Sequence, residues 1–439
     1  MPQTSQKKHK KLGKWMRALR NCALFDVGSN GRYLPKHFTD LVLAAALAGK
    51  SVEETSRQAG LPSADDFYHH ARQKLSKEAV QKHIRRWASE AANAICNIFS
   101  RRTFDIAVDF TEDPYYGEID NPWVVGGKRK NSTNYAFRYL TVAIVNEGMR
   151  FVIYACPVSK DDRMDAPLVE EAVLAVKRLG VGIRRAYLDR EFKNSALFLF
   201  FDVEGIEFIV PNTADSKTLR WIDELRREKR HFPRIIENYE VNDYPVNLLL
   251  LEDENGSGEI YGFLTNRKAA EIKKDPYAVA EDYRDRWAIE NANKYQDAFN
   301  IPTNCRDGIV RYLFFAMTVL LHNFWVLANM LAPVICLPLL AISFFKECAL
   351  VAVLELPRLR SKSPQRERWA AVLGGKIATL RRWAGAALRC AARRRTSLFF
   401  GDFGIVKRTR TIRFYRSEVF LWTCGFTGEL ASGFNAQTF

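Results

Sequence analysis

The chain has 439 residues, of which 47% are hydrophobic and 26% charged, and this composition excludes an intrinsically disordered protein. Its length exceeds one ordinary hydrophobic core, so two or three domains are expected. Lysine and arginine outnumber the acidic residues by 66 to 50, which gives a net charge of +16. This surplus argues against a small-molecule enzyme with a neutral surface. It favours a polyanionic partner, either nucleic acid or an anionic membrane surface.

The positive charge is concentrated at the two ends of the chain. Residues 1–20 contain seven Lys or Arg and no acid, and residues 355–416 have a net charge of +14, which leaves −5 for the remainder. The eight cysteines form no CxxC pair and have no zinc-like spacing, which indicates reduced thiols in the cytoplasm. No apolar segment follows the basic N-terminus, so no signal peptide is expected.

Residues 1–100 are predicted to be a helical DNA-binding domain. An apolar segment spans residues 36–50, and the capping motif Ser51-Val-Glu-Glu54 predicts the start of a short helix. A long helix is predicted over residues 76–99. A short helix, a turn and a second helix are typical of a helix-turn-helix, but any small helical bundle shows the same pattern.

Residues 101–330 are predicted to be an α/β domain with a mixed sheet. Two apolar runs, Ile-Ala-Val-Asp109 and Ala-Tyr-Leu-Asp189, indicate strands that end on a carboxylate. A hairpin is expected over residues 136–157. Three further strand candidates indicate a β-rich insertion at about 213–270.

An apolar helix is predicted over residues 308–331. It overlaps a run, residues 312–345, that contains no Lys, Arg, Asp or Glu and is long enough to cross a bilayer. Two prolines and several polar residues interrupt that run, which also suits two buried helices of a large core. Residues 331–439 are predicted to be a helical, basic C-terminal region.

Asp109 and Asp189 are candidate metal ligands. Strand ends in an open α/β sheet border the crevice where sites form, and hard divalent cations bind carboxylate oxygens. A predicted helix over residues 276–300 would supply Glu290, which shares a helix face with Arg286. Alternatively, the aspartates are turn formers or caps, and Arg286 and Glu290 form a surface ion pair. Three further carboxylates lie near the same strand ends: Glu112, Asp113 and Glu191.

Three motifs resemble those of the prokaryotic insertion-sequence DDE transposases. Asp109-Phe-Thr-Glu-Asp-Pro-Tyr-Tyr-Gly117 resembles their first-Asp motif, and Tyr187-Leu-Asp189-Arg-Glu-Phe192 resembles their second. Tyr283-x-x-Arg286-x-x-x-Glu290 is similar to the Tyr-(2)-Arg-(3)-Glu-(6)-Lys signature of one branch. This sequence differs from the signature at one position, because Asp297 stands where the lysine would be. Lys294 lies one helical turn earlier. The resemblance covers about residues 103–329.

The resemblance implies a ribonuclease-H-like mixed-sheet core with a β-rich insertion, between helical N- and C-terminal regions. It also implies that Asp109, Asp189 and Glu290 hold two Mg²⁺ or Mn²⁺ ions for in-line attack on a DNA phosphodiester. The resemblance also implies that Tyr283, Arg286 and Lys294 contact DNA phosphates. It implies that Trp221 stacks on a flipped base.

The protein so implied is a cytoplasmic homodimer that pairs two double-stranded DNA ends. It would cut and join the terminal inverted repeats of an insertion sequence. One alternative is a DNA-binding protein of the same descent that has lost its chemistry, which would bind DNA without metal-dependent cleavage. Another is a membrane protein built around residues 312–345, which would need detergent for recovery.

Overall fold

The computed structural model divides the chain into two compact units, residues 1–376 and 377–439. The described residues all lie in the first unit and are 23–27, 32–58, 60–130, 132–146, 149–162, 165–212, 215–228, 232–253, 259–287, 296–331, 346 and 349. The basic N-terminal arm, Glu290, Lys294 and the basic C-terminal region therefore lie outside the described residues. The predicted boundaries of three domains stay predictions.

Four helices make up most of the described part of residues 1–100. They are α1 (Pro35–Ala48), α2 (Val52–Thr55), α3 (Ala64–Lys74) and α4 (Lys77–Phe99). Serine precedes three of them, because the hydroxyls of Ser51, Ser63 and Ser76 accept hydrogen bonds from first-turn N–H groups. The short and long helices predicted in this region are confirmed.

One mixed sheet of nine strands organises the described α/β region, as its sequence predicts. The strands are β1 (Thr103–Pro114), β2 (Val124–Lys130), β3 (Thr133–Asn146), β4 (Met149–Pro157), β5 (Gly182–Leu188), β6 (Glu207–Asn212), β7 (Arg234–Val241), β8 (Tyr244–Glu252) and β9 (Ile260–Thr265). The strand order is β2-β3-β1-β5-β6-β9-β8-β7, and β4 also pairs with β3. β1, β5 and β6 run parallel, and the other pairs are antiparallel.

The three strands of the predicted insertion extend this same sheet. β9 pairs antiparallel with β6, and β8 and β7 continue outward from β9. The insertion also contains a helix, α7 (Ser216–Arg227), where the sequence showed only a polar stretch. The insertion is thus hydrogen-bonded to the parallel strands through β6.

Helices cover both faces of the sheet. One face, with Val108 and Leu188, packs with α4, α7 and two further helices, α5 (Asp165–Arg178) and α6 (Ser195–Val203). The opposite face packs with three others: α8 (Ala269–Lys274), α9 (Tyr277–Trp287) and α10 (Gly308–Leu331). Helices α4 and α10 also pack on each other, so each contributes residues to both of the larger clusters. Because side chains alternate along a strand, neighbouring positions of β1 and β5 contribute to opposite cores.

Helix α10 has the length and apolarity of a membrane span, but its most apolar window is 89% buried within the fold. Its polar side chains bond the sheet. The Asn323 amide accepts from the Val152 N–H at 3.0 Å and donates to the Val152 carbonyl at 2.6 Å, and the Tyr312 hydroxyl donates to the Ala155 carbonyl at 2.8 Å. Asn323 thus satisfies backbone groups on β4. The interpretation of residues 308–331 as a core helix fits this packing.

Candidate active site

The two candidate aspartates lie side by side where the parallel pairing of β1 with β5 ends. β1 itself continues to Pro114, paired antiparallel with β3, so the prediction that this strand ends on Asp109 is wrong. Val108 on β1 is paired with Leu188 on β5, and Asp109 and Asp189 directly follow that pair. Neighbouring strands are about 4.8 Å apart. Alternation directs both aspartates toward the face that carries α9, because Ala107 and Tyr187 contribute to that core. The geometry is that of two carboxylates that face a shared crevice.

Contacts from β3 hold the backbone of Asp109. Thr141 lies directly opposite Asp109 in the β1–β3 register, and its hydroxyl donates to the Asp109 carbonyl at 3.1 Å. The guanidinium of Arg150, on β4, donates to the same hydroxyl at 3.1 Å. Thr141 and Arg150 are both buried. Asp109 is therefore supported by a polar chain that spans three strands.

Asp189 ends β5 and begins a single 3₁₀ turn, Arg190–Phe192. Its carboxylate accepts a hydrogen bond from the Arg190 N–H at 2.8 Å, so it has the cap role that the alternative interpretation describes. That role still leaves other lone pairs on the carboxylate for a cation. Phe192 is buried and stacks on Phe110, with ring centroids 4.8 Å apart. This stack connects the two aspartate motifs through the residues that follow them.

The other three carboxylates near these strand ends form ion pairs with arginine. Asp113 pairs with Arg311, the fourth residue of α10, at 2.6 Å. Arg138 on β3 pairs with Glu191 and lies 3.8 Å from Glu112. These pairs neutralise the extra acidic groups. Asp109 and Asp189 differ from them in strand position, because they directly follow Val108 and Leu188, the last pair of the parallel β1–β5 ladder.

Helix α9 packs across the same crevice. The Tyr283 hydroxyl donates to the Leu188 carbonyl at 3.3 Å, immediately before Asp189, and its ring packs on Phe263. Arg286 lies in the last turn of α9. Glu290 follows that helix in the chain by three residues and, like Lys294, lies outside the described residues. Tyr283 is thus the member of the third motif that the structure places beside the second.

A ring of four alternating charges fastens α9 to the sheet. Arg185 on β5 pairs with Glu207 on β6 at 2.5 Å and with Asp282 on α9 at 2.7 Å. Arg267, just after β9, pairs with the same two carboxylates. The ring has no net charge, and its two arginine side chains are each 10% exposed. This ring was missed from the sequence, although an arginine within an apolar strand is a signal that could have marked it.

Trp221 lies on α7 and is 38% exposed. Asp215 caps the start of this helix, and its carboxylate pairs with Lys193 at 2.9 Å. Lys193 lies four residues after Asp189 in the chain. Lys193 also donates to Asn212 at the end of β6. Trp221 is thus on the solvent side of a helix that is tied to the loop after Asp189. It is not brought into contact with either aspartate.

The donor set suits a hard divalent cation, because carboxylate oxygens on adjacent strands are the ligands such ions prefer. Within the described ranges, no group of three or more His, Cys, Asp or Glu side chains is arranged to hold a metal. Two of the three predicted ligands can therefore be placed, as a neighbouring pair.

The fold has a counterpart among solved structures. No protein-family profile matches the chain, and no curated protein matches it. Among solved structures, the chain is similar to a transposase, the piggyBac transposase synaptic complex with hairpin DNA, determined by cryo-EM. The similarity has a TM-score of 0.50 at 13% sequence identity and covers 84% of this chain and 81% of that one. At this identity the likeness shows a shared fold.

Proposed function

We propose that this protein is a DDE transposase of the insertion-sequence type that cleaves and rejoins DNA. The observation that carries the proposal is the placement of Asp109 and Asp189 side by side where the parallel pairing of β1 with β5 ends. The similar fold of a transposase supports it, and the three motifs supply the branch. The arrangement of β4, β3, β1, β5 and β6 supports a ribonuclease-H-like core, because it puts the first and second motifs next to each other.

Asp109, Asp189 and Glu290 would hold two Mg²⁺ or Mn²⁺ ions, which lower the pKa of an attacking hydroxyl and stabilise the leaving oxygen. The chain's own groups orient the carboxylates: Thr141 fixes the Asp109 backbone, and the Arg190 N–H fixes the Asp189 side chain. Such fixed positions reduce the reorganisation that a reaction requires.

The remaining residues of the proposed site bind DNA. Arg286 suits a phosphate because its planar guanidinium donates two parallel hydrogen bonds. Tyr283 and Lys294 would contact the same backbone, and the exposed indole of Trp221 would stack on an unpaired base. The piggyBac structure is a synaptic complex, which supports a homodimer that pairs two double-stranded ends here. We place this reaction in the cytoplasm, on nucleoid DNA.

Metal-dependent cleavage tests the proposal. End-labelled duplexes from the DNA that flanks the gene would be incubated with full-length protein and Mg²⁺ or Mn²⁺. We expect Asp109→Asn or Asp189→Asn to slow cleavage about a thousandfold or more, since bound metal supplies several kcal/mol of transition-state stabilisation. Both variants should still bind the duplex in EDTA, with affinity that falls steeply with salt.

Asp105→Asn is a matched control. Asp105 lies on the same strand and face as Asp109 but four residues earlier, where Arg184 pairs with it at 2.5 Å. It should leave the cleavage rate within about threefold of wild type, since Asp105 lies four residues from Asp109 along β1 and its arginine partner is 63% exposed. Binding without any cleavage by the wild-type protein would instead favour the inactive DNA-binding alternative.

A further inference from the structure

Helix α9 contacts strand β5 through two consecutive residues. Asp282 pairs with Arg185 at 2.7 Å, and Tyr283 donates to the Leu188 carbonyl at 3.3 Å. Consecutive helix residues differ by about 100° around the axis and 1.5 Å along it. Two bonds to one strand from such a pair therefore define both the rotation of α9 and its position along β5.

The bond at Asp282 has the stricter geometry. Both Arg185 and Arg267 donate to the same oxygen, Asp282 Oδ2, while each also donates to Glu207. Because two charged donors meet at this one oxygen, the position of the Asp282 carboxylate is restricted from two directions. The Tyr283 bond is longer and involves a neutral hydroxyl, so it would not by itself hold the helix.

The ring is half-buried, because Glu207 is 25% and Asp282 33% exposed. Such a ring is a poor source of stability but a good source of unique geometry. Desolvation of the charges offsets most of their attraction, and apolar residues of equal volume often stabilise a fold equally or better. Apolar contacts from Val279 and Ala280 already attach α9 to the sheet. The ring additionally restricts α9 to one rotation about its axis and one position along β5.

We propose that Asp282 is a positioning residue that sets Tyr283 beside Asp189 through its pair with Arg185 and Arg267. The inference rests on the proposed function, because its consequence is read as DNA cleavage. Asp282 itself touches neither DNA nor metal. Its loss would let α9 rotate or slide, and a displacement of about 1 Å at a reacting group can cost on the order of a hundredfold in rate.

The experiment compares Asp282→Asn with Glu207→Gln in the full chain. Each change neutralises one carboxylate of the same ring, but only Asp282 lies on α9. Both should lower Tm by similar amounts. Asp282→Asn should slow single-turnover cleavage about ten- to a hundredfold, whereas Glu207→Gln should stay within about threefold of wild type because Asp282 keeps both arginines. Duplex affinity in EDTA should be unchanged in both.

A double mutant separates positioning from general loosening. If Asp282 acts through Tyr283, then Asp282→Asn combined with Tyr283→Phe should be about as slow as the slower single variant, and the two fold-changes should not multiply. Asp282→Glu, which keeps the charge, should recover part of the rate. Amide hydrogen exchange should accelerate within residues 277–287 in Asp282→Asn and not in Glu207→Gln.

Several results would overturn the inference. Equal loss of cleavage in Asp282→Asn and Glu207→Gln, or fold-changes that multiply in the double mutant, would mean that Asp282 only stabilises the fold. If Asp282→Asn is too unstable to purify, Arg267→Gln replaces it, because this change removes one of the two arginine partners of Asp282. It should also slow single-turnover cleavage, but by a smaller factor. If the wild-type protein does not cleave DNA, the proposed function itself is contradicted. The comparison of wild type with Asp109→Asn detects that outcome separately.

Discussion

Helices α9 and α10 lie on the same face of the sheet but are attached to it in different ways. Their clusters meet on β3, where Ala143 packs with α10 and Val145 packs with α9. Helix α10 is held by a long apolar surface with a few hydrogen bonds to β4, whereas α9 is shorter and adds a ring of charges to its apolar contacts. We infer that α10 mainly supports stability and that the charge ring of α9 mainly supports the geometry of the site.

The largest effect is expected from removing apolar volume under α10. Leu321 is fully buried, and Leu321→Ala should lower the free energy of unfolding by about 2–5 kcal/mol because it leaves a cavity. Chemical denaturation would measure this. Leu219→Ala, at a leucine that is 49% exposed on α7, should change stability by less than about 0.5 kcal/mol. Equal costs at the two leucines would contradict the role of α10.

A smaller loss is expected at the polar contact between α10 and β4. Asn323→Ala leaves the N–H and carbonyl of Val152 without their partner, which should cost about 1–3 kcal/mol of unfolding free energy. Asn329→Ala is the matched control, since that amide bonds the Trp325 carbonyl of its own helix. If the Asn329 variant were the less stable of the two, the bond to β4 would not be what fastens α10.

The smallest effect concerns pH. Burial, together with the positive charge of Arg150, lowers the pKa of His322 on α10 from 6.5 to about 3. The unfolded chain then binds a proton below pH 6.5 that the folded chain does not, so stability should fall by about 1.4 kcal/mol between pH 7.5 and 5.5. Denaturant midpoints across this range would show it.

His322→Gln should remove that part of the pH dependence, and His69→Gln should not, because His69 is exposed on α3. An unchanged slope in the His322 variant would mean that its imidazole is accessible to protons. This would imply that α10 is packed less tightly on β4 than the structure shows.

The apolar parts of β1 and β5 could be predicted because an apolar run marks a buried strand wherever it occurs. The continuation of β1 beyond Asp109 to Pro114 could not, because most of those residues are polar. β2 was not predicted, since Gly126 and Gly127 and a basic run conceal its alternation. Helix α7 was missed for a related reason, because a polar helix at the surface has few apolar positions to reveal its period.

The contacts around the aspartates follow from tertiary structure and could not be read from local pattern. Thr141 and Arg150 reach Asp109 from β3 and β4, and Asp282 reaches Arg185 from almost a hundred residues away in the chain. Position in sequence does not show that Glu112, Asp113 and Glu191 pair with arginines, because that depends on how β3 and α10 pack.

The continuous sheet has a consequence for distance. Four strand-to-strand steps separate β5, which ends at Asp189, from β7 at the far edge of the insertion. At about 4.8 Å a step this is roughly 19 Å. Hydrogen-bonded strands preserve such a spacing, so the outer edge of the insertion stays at a fixed distance from Asp189.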